Sequence, residues 1–208
     1  PLAISLNQGG GFIKINDKKQ VPDLQLYFSP LSYSTAPQGK RPLMSPDPYP
    51  AVRLGFNPTK PTSTGKVSLQ SADPHERPKF LGNYLTTRED KEVMLSGMHL
   101  IRRLLETDAM QSIVSEELSP GTQAQSDADL LNFVRKDGGT VFHQCGTCRM
   151  GKDASFSVVD QRLRVHGLER LRIVDASIFP RIPTGNTNAP AIMVGEKAAD
   201  IILDDYKY

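Results

Sequence analysis

Apolar and polar residues alternate along Leu24-Gln25-Leu26-Tyr27-Phe28, and shorter β-prone runs stand at 11–15, 52–56 and 66–69. A period of two puts every second side chain on the same face, so these runs predict an antiparallel sheet with one face covered. A proline-rich stretch, 37–50, interrupts them and is too long for a hairpin turn; segments of that length are functional or mobile. At Thr87 the period changes. Thr87 with Asp90 three residues on offers a capping pair, and Met94, Met98, Ile101 and Leu105 follow at helical spacing, which predicts a helix over 88–106 whose methionines fill a core. Ser126-Asp127-Ala128-Asp129 predicts a second, shorter helix through Leu131 and Val134, closed by Gly138-Gly139. Beyond it come short β-prone runs at 158–160, 163–165 and 171–174. A last helix is expected from 190 to 203, with Glu196, Lys197, Asp200 and Asp204 on its solvated face. Strands, then helices, then strands again predict an α+β fold: an antiparallel sheet covered by helices, with the stretch from 140 onward in a different layer.

Composition narrows the functional classes. Lys plus Arg number 25 against 23 Asp plus Glu, a net charge of +2 with no block of one sign, so a nucleic acid or an acidic membrane surface is not an expected partner. No apolar run approaches the roughly 18 residues of a membrane span, and the first residues lack the layout of a signal peptide. A soluble, cytoplasmic protein is the expectation. The opening Pro1-Leu2-Ala3-Ile4, without Met, reads as cut from something longer. The 2 cysteines, Cys145 and Cys148, are too few for a disulfide scaffold and suit a reducing compartment.

Reactive residue types concentrate in His143-Gln144-Cys145-Gly146-Thr147-Cys148-Arg149-Met150-Gly151. Three readings compete for this cluster. His143, Cys145 and Cys148 are possible zinc ligands, although a structural zinc site normally needs four and a partner knuckle. Cys-Gly-Thr-Cys has thioredoxin-like spacing, but a glycine and turn-formers follow where a helix should begin. In the third reading His143 does the work and the small residues after it let backbones pack closely. A second polar cluster supports that reading: Pro183-Thr184-Gly185-Asn186-Thr187-Asn188-Ala189-Pro190 runs straight into the last helix. A helix N-terminus carries free N–H groups and about half a positive charge, which favours an anion in front of it. The plainer possibility is that Thr187 or Asn188 only caps the helix.

Together these segments resemble the C-terminal part of the glucose-methanol-choline (GMC) family of flavin-dependent oxidoreductases. The likeness is carried by the His143–Gly151 segment, Val158-Val159-Asp160, Leu163-Arg164-Val165-His166-Gly167, Leu171-Arg172-Ile173-Val174-Asp175-Ala176-Ser177 and Gly185-Asn186-Thr187-Asn188-Ala189-Pro190, and it continues through Met193-Val194-Gly195-Glu196-Lys197-Ala198-Ala199-Asp200. Pro22-Asp23-Leu24-Gln25, Ser63-Thr64-Gly65-Lys66-Val67 and Asn83-Tyr84-Leu85 match more loosely. The resemblance implies an FAD-dependent oxidation of a small-molecule alcohol, with 1–139 as substrate-binding domain and 140–208 as the catalytic and flavin-contacting segment. His143 would accept the hydroxyl proton, and Asn186 would hydrogen-bond the substrate oxygen. Asn188, Ala189 and Pro190, with Thr187, would lie against the flavin ring, and Asp175 and Ala176 would meet its linking chain. Cys145 and Cys148 then become packing residues. The electron acceptor, oxygen or a quinone, stays open. The family's Gly-rich fingerprint for the ADP half of FAD is missing: Gly9-Gly10-Gly11 precedes a strand pattern and opens no helix. An N-terminal FAD-binding portion is therefore an expected partner. A cofactor-free scaffold relic remains the rival reading, and a zinc or thiol protein the third.

Overall fold

The computed structural model describes residues 7–15, 17, 19–33 and 46–206. They fall into two compact units, Pro1–Pro58 with Arg88–Gly138 and Thr59–Thr87 with Gly139–Tyr208. Five strands, β1 (Gly9–Ile13), β2 (Leu24–Ser29), β3 (Arg53–Pro58), β4 (Lys66–Ser68) and β5 (Lys79–Leu81), join four α-helices: α1 (Arg88–Leu105), α2 (Asp108–Gln111), α3 (Asp127–Asp137) and α4 (Asn188–Asp205). A 3-10 turn spans Ala176–Ile178. The fold is α+β, and among the described residues no helix is long and apolar enough to cross a membrane.

In the first unit β1, β2 and β3 form an antiparallel sheet with β2 at the centre. Leu24, Leu26 and Phe28 stand opposite Pro58, Phe56 and Leu54 on one face. α1 packs on β3, and it comes close because Gly97 has no side chain: a Cβ there would lie 2.3 Å from the Phe56 ring. The predicted core stripe holds, since Met98 is buried along with Leu24, Leu130 and Val134. The capping box of α3 also forms, with Asp129 N donating to Ser126 Oγ and Ser126 N to Asp129 Oδ2 at 3.2 and 3.0 Å. Its terminal glycine acts differently from expectation. Gly138 has an ordinary φ of −69°, and the missing Cβ instead makes room for the Val134 carbonyl oxygen.

Three strand expectations need correction. β1 starts at Gly9 and stops at Ile13, because the glycines lie flat against β2 while the Ile15 N–H turns out of the ladder to donate to the buried Asp23 carboxylate at 2.7 Å. The 66–69 run does not join this sheet; as β4 it pairs with β5, which the hydropathy pattern did not mark, in the second unit. The runs at 158–160, 163–165 and 171–174 pair only through single bridges such as Val159↔Val165 and Arg164↔Arg172. Left-handed backbone at Leu163, Gly167 and Arg170 breaks the ladder every few residues. Of the proline-rich 37–50 stretch, 37–45 lies outside the described residues. Ser32 and Asp47, on either side of it, are joined by an Oγ–Oδ2 hydrogen bond of 2.6 Å.

The second unit has its own core of Val159, Leu163, Ile178, Val194 and Ala198. Val194 and Ala198 are one helical turn apart on α4, so the 148–179 meander packs along a single stripe of that helix. The backbone stitches it down: Cys148 N donates to Ser177 O and Met150 N to Ile178 O at 3.0 and 2.7 Å.

Candidate active site

The loop that carries His143 is built before any chemistry is possible. Phe142 takes a left-handed φ of 59° although it is bulky and 79% exposed, a conformation that costs about 1 kcal/mol or more and persists only where neighbours enforce it. They do so through Thr140 and Gln144. Thr140 Oγ1 accepts from Phe142 N at 3.0 Å and from Gln144 Nε2 at 2.5 Å, and the same amide donates to the Tyr84 hydroxyl at 2.7 Å. Tyr84 is itself held from the chain before it. Asn83 Nδ2 donates to Thr64 O and Thr86 N to Ser63 Oγ, while Gly65 passes so near the Leu81 carbonyl that a Cβ would sit 2.2 Å from its oxygen. The two loosely matching stretches, 63–67 and 83–85, thus brace the histidine loop within one unit.

The half-buried imidazole meets the polar turn before α4. His143 Nδ1 lies 2.9 Å from Thr187 Oγ1 and 3.4 Å from Thr187 N, across 44 residues of chain. Thr187 is buried, and Gly185, with φ 111°, provides the sharp bend that leads into Asn186. Asn186 is exposed, and no hydrogen bond joins its carboxamide to His143 among the described residues. Its position next to Thr187 still puts its Cα within about 3.8 Å of the Thr187 Cα.

Thr187 does not cap the helix. It occupies the N-cap position with helical angles, φ −86° and ψ −4°, and makes no side-chain cap bond. The hydroxyl is spent on the imidazole instead. α4 therefore opens with Asn188 and Ala189 exposed and without a threonine cap, followed by Pro190, which has no N–H to satisfy. Sequence reasoning read Thr187 as a cap or a flavin contact and missed this partnership, because Asn186, Thr187 and Asn188 are all cap-type residues and spacing does not choose among them. Asp175 caps the 3-10 turn, its Oδ1 accepting from Ser177 N at 2.7 Å, and Ala176 begins that turn.

The competing chemistries gain no support. Cys145 and Cys148 are both free thiols, and burial pushes the Cys145 thiol up, away from the thiolate that exchange or metal binding requires. Among the described residues no three His, Cys, Asp or Glu side chains gather as a metal site would. A cavity of about 740 Å³ is lined by residues such as Arg164, His166, Arg170 and Tyr206 and not by His143. Its charges are mostly engaged: Arg164 pairs with Asp160 and Arg172 with Asp205. Around His143, by contrast, polar groups converge and the left-handed backbone of Phe142 accompanies them.

Comparison with known proteins identifies the family. The model of the GMC oxidoreductase family matches residues 61–195, and the chain belongs to that family. It is 41% identical to an oxygen-dependent choline dehydrogenase of Chromohalobacter salexigens over 92% of this chain and 33% of that protein, and 39% identical to one of Escherichia coli O157:H7 over 94% and 34%. The chain thus spans about a third of the length of these relatives. Among solved structures it superposes on pyridoxine 4-oxidase from Mesorbium loti with a TM-score of 0.80 at 28% identity, covering 94% of this chain and 37% of that one. For formate oxidase of Aspergillus oryzae RIB40 the TM-score is 0.78 at 28% identity, with 90% and 32% covered. Oxidoreductases of this family are FAD-dependent. The residues here suit that cofactor, since the opening turn of α4, lacking a threonine cap, presents positive helix-end charge where an electron-rich ring is favoured.

Proposed function

We propose that this chain provides the catalytic edge and the substrate side of a flavoenzyme that oxidises the CH–OH group of a small alcohol to an aldehyde or ketone. FAD, when bound, supplies the acceptor for the hydride that leaves the carbinol carbon. His143 takes the hydroxyl proton at Nε2, since Nδ1 is engaged by Thr187. Asn186 donates a hydrogen bond to the substrate oxygen, adding a dipole without a competing charge. Asn188, Ala189 and Pro190 at the start of α4, with Thr187, and Asp175 and Ala176 at the 3-10 turn, form this chain's side of the flavin site. Residues 1–139 shape the substrate side and 140–208 carry catalysis and flavin contact, with 59–87 a substrate-side segment folded into the same compact unit as His143. The remaining part of the cofactor site, for the ADP half, comes from an FAD-binding portion corresponding to the rest of the relatives' length. Oxygen or a quinone then takes the electrons.

One observation carries this reading: the His143–Thr187 contact, which sets an imidazole beside the turn that bears Asn186 and opens α4. The test is His143→Ala in the flavin-loaded enzyme that contains this chain, followed by stopped-flow bleaching with a panel of alcohols. Loss of a general base predicts a fall in flavin reduction of about a hundredfold or more. Unchanged reduction removes His143 from the mechanism.

A further inference from the structure

We propose that Tyr84 is a positioning residue for the proposed base, holding the His143 loop in place through Gln144. The proposal rests on the reading of His143 as base and adds to it a residue 60 positions before Gln144. The Gln144 side chain bridges two hydroxyls, that of Tyr84 at 2.7 Å and that of Thr140 at 2.5 Å. A carboxamide has a donating and an accepting end and a hydroxyl does both, so the bridge holds whichever end of Gln144 faces them. The next contact has a fixed direction: Phe142 N donates to Thr140 Oγ1 at 3.0 Å. That bond closes the left-handed turn at Phe142, φ 59°, immediately before His143. A bulky residue keeps such an angle only while its neighbours enforce it. Removing the Tyr84 hydroxyl therefore loosens, in order, the Gln144 amide, the Thr140 oxygen and the turn that sets the imidazole against Thr187.

Tyr84 is itself fixed more firmly than a surface side chain needs. It stands between two further residues of left-handed backbone, Asn83 at φ 52° and Leu85 at φ 56°. Asn83 Nδ2 donates to Thr64 O at 2.9 Å, and Thr86 N and Thr87 N both donate to Ser63 Oγ, at 3.0 and 3.2 Å. The ring lies so close over Gly82 that a Cβ there would be 2.6 Å from Cε2. Yet Tyr84 is 61% exposed, so the strained turn buries little of the ring; what it delivers is the hydroxyl to Gln144. All these residues belong to one compact unit.

The experiment compares Tyr84→Phe, Gln144→Leu and the double variant in the flavin-loaded enzyme that contains this chain. Tyr84→Phe keeps the ring over Gly82 and removes only the hydroxyl. Flavin reduction should fall about three- to tenfold, the size of one neutral hydrogen bond, with KM within about twofold because Tyr84 does not touch the substrate. Amide exchange in the 140–144 segment, followed by mass spectrometry, should quicken by a similar factor, about three- to tenfold, as the Phe142 N–H loses its fixed acceptor. If Tyr84 acts through Gln144, the double variant is no slower than Gln144→Leu alone. A Tyr84→Phe enzyme with wild-type exchange and wild-type reduction, or a double variant in which the two losses multiply, overturns the proposal. His143→Ala with full activity would instead sink the alcohol-oxidation reading, while exchange at 140–144 would still decide whether Tyr84 holds the loop.

Discussion

At the scale of single residues, His143 and Asn186 differ in what holds them. His143 is gripped by Thr187 and by a loop whose strain Thr140 and Gln144 enforce, whereas Asn186 is exposed and owes its position to the bend at Gly185. In the proposed reaction Asn186 contributes one donor to a negative charge that grows in the transition state, a contribution worth up to about 3–4 kcal/mol. Asn186→Ala should therefore slow flavin reduction by up to about a hundred- to a thousandfold and raise KM only slightly, because the donor matters most when charge develops. An increase in KM alone would make Asn186 an ordinary substrate contact. In the sequence His143 stands out among cysteines and small residues, whereas the role proposed for Asn186 comes from the resemblance to the family. Thr187 was legible only as a polar residue at a helix start. Its real partner is 44 positions away, and nothing local in a sequence encodes which of three neighbouring cap-type side chains a distant histidine will meet.

At the scale of elements, the helices were read well and the strands less so. α1, α3 and α4 lie within two residues of their expected limits, because apolar periodicity and the Ser126 capping box are local signals. β1 slipped because three glycines carry no alternation, and β5 was lost because it is three residues long and exposed throughout. The tight approach of α1 to β3 offers a direct test of packing. In Gly97→Ala the new Cβ would meet the Phe56 ring 2.3 Å away. Overpacking costs about 1–3 kcal/mol against the roughly 1 kcal/mol that alanine gains in a helix interior, so a lower urea midpoint with unchanged slope is expected. Phe56→Leu in the same background should recover part of it. In the second unit, the end of α4 is pinned electrostatically. Asp205 at the end of α4 is bonded by Arg162 and Arg172, which hold its carboxyl at about 2, below the usual 3.8. A depressed folded-state value means the stabilisation is complete above about pH 4 and disappears as the pH falls towards 2. Acid unfolding followed by circular dichroism should show that window, and Asp205→Asn should be less stable at pH 7 but flatter between pH 4 and 2. An identical acid limb in the variant would show that the carboxylate does not fasten α4.

For the whole molecule, the decisive fact is what kind of flavin site these residues make. In the proposed reading they present one face of it: His143 as base, the Asn186 carboxamide, the opening turn of α4 and the Asp175 turn. What holds a dinucleotide's pyrophosphate in flavoenzymes is a Gly-rich turn between a strand and a helix, where backbone N–H groups converge on two phosphates. The glycine run of this chain does the opposite: Gly9, Gly10 and Gly11 lie inside β1 with partners in β2, and the strand leads to the Asp23 turn and not to a helix. Without the pyrophosphate contacts, the affinity left to this face is that of a helix end and a few polar groups, each worth about 1 kcal/mol or so in water, far short of stoichiometric binding at micromolar concentration. The 208-residue chain by itself should accordingly be purified colourless, and titration with FAD should leave flavin fluorescence unquenched up to tens of micromolar, about the range such contacts reach. Supplying the FAD-binding portion of a family relative as a separate polypeptide should then restore quenching only when both are present. If the chain alone retains FAD through gel filtration, the ADP half must be held by residues that no glycine motif marks, and the division of the cofactor site between the two portions is wrong.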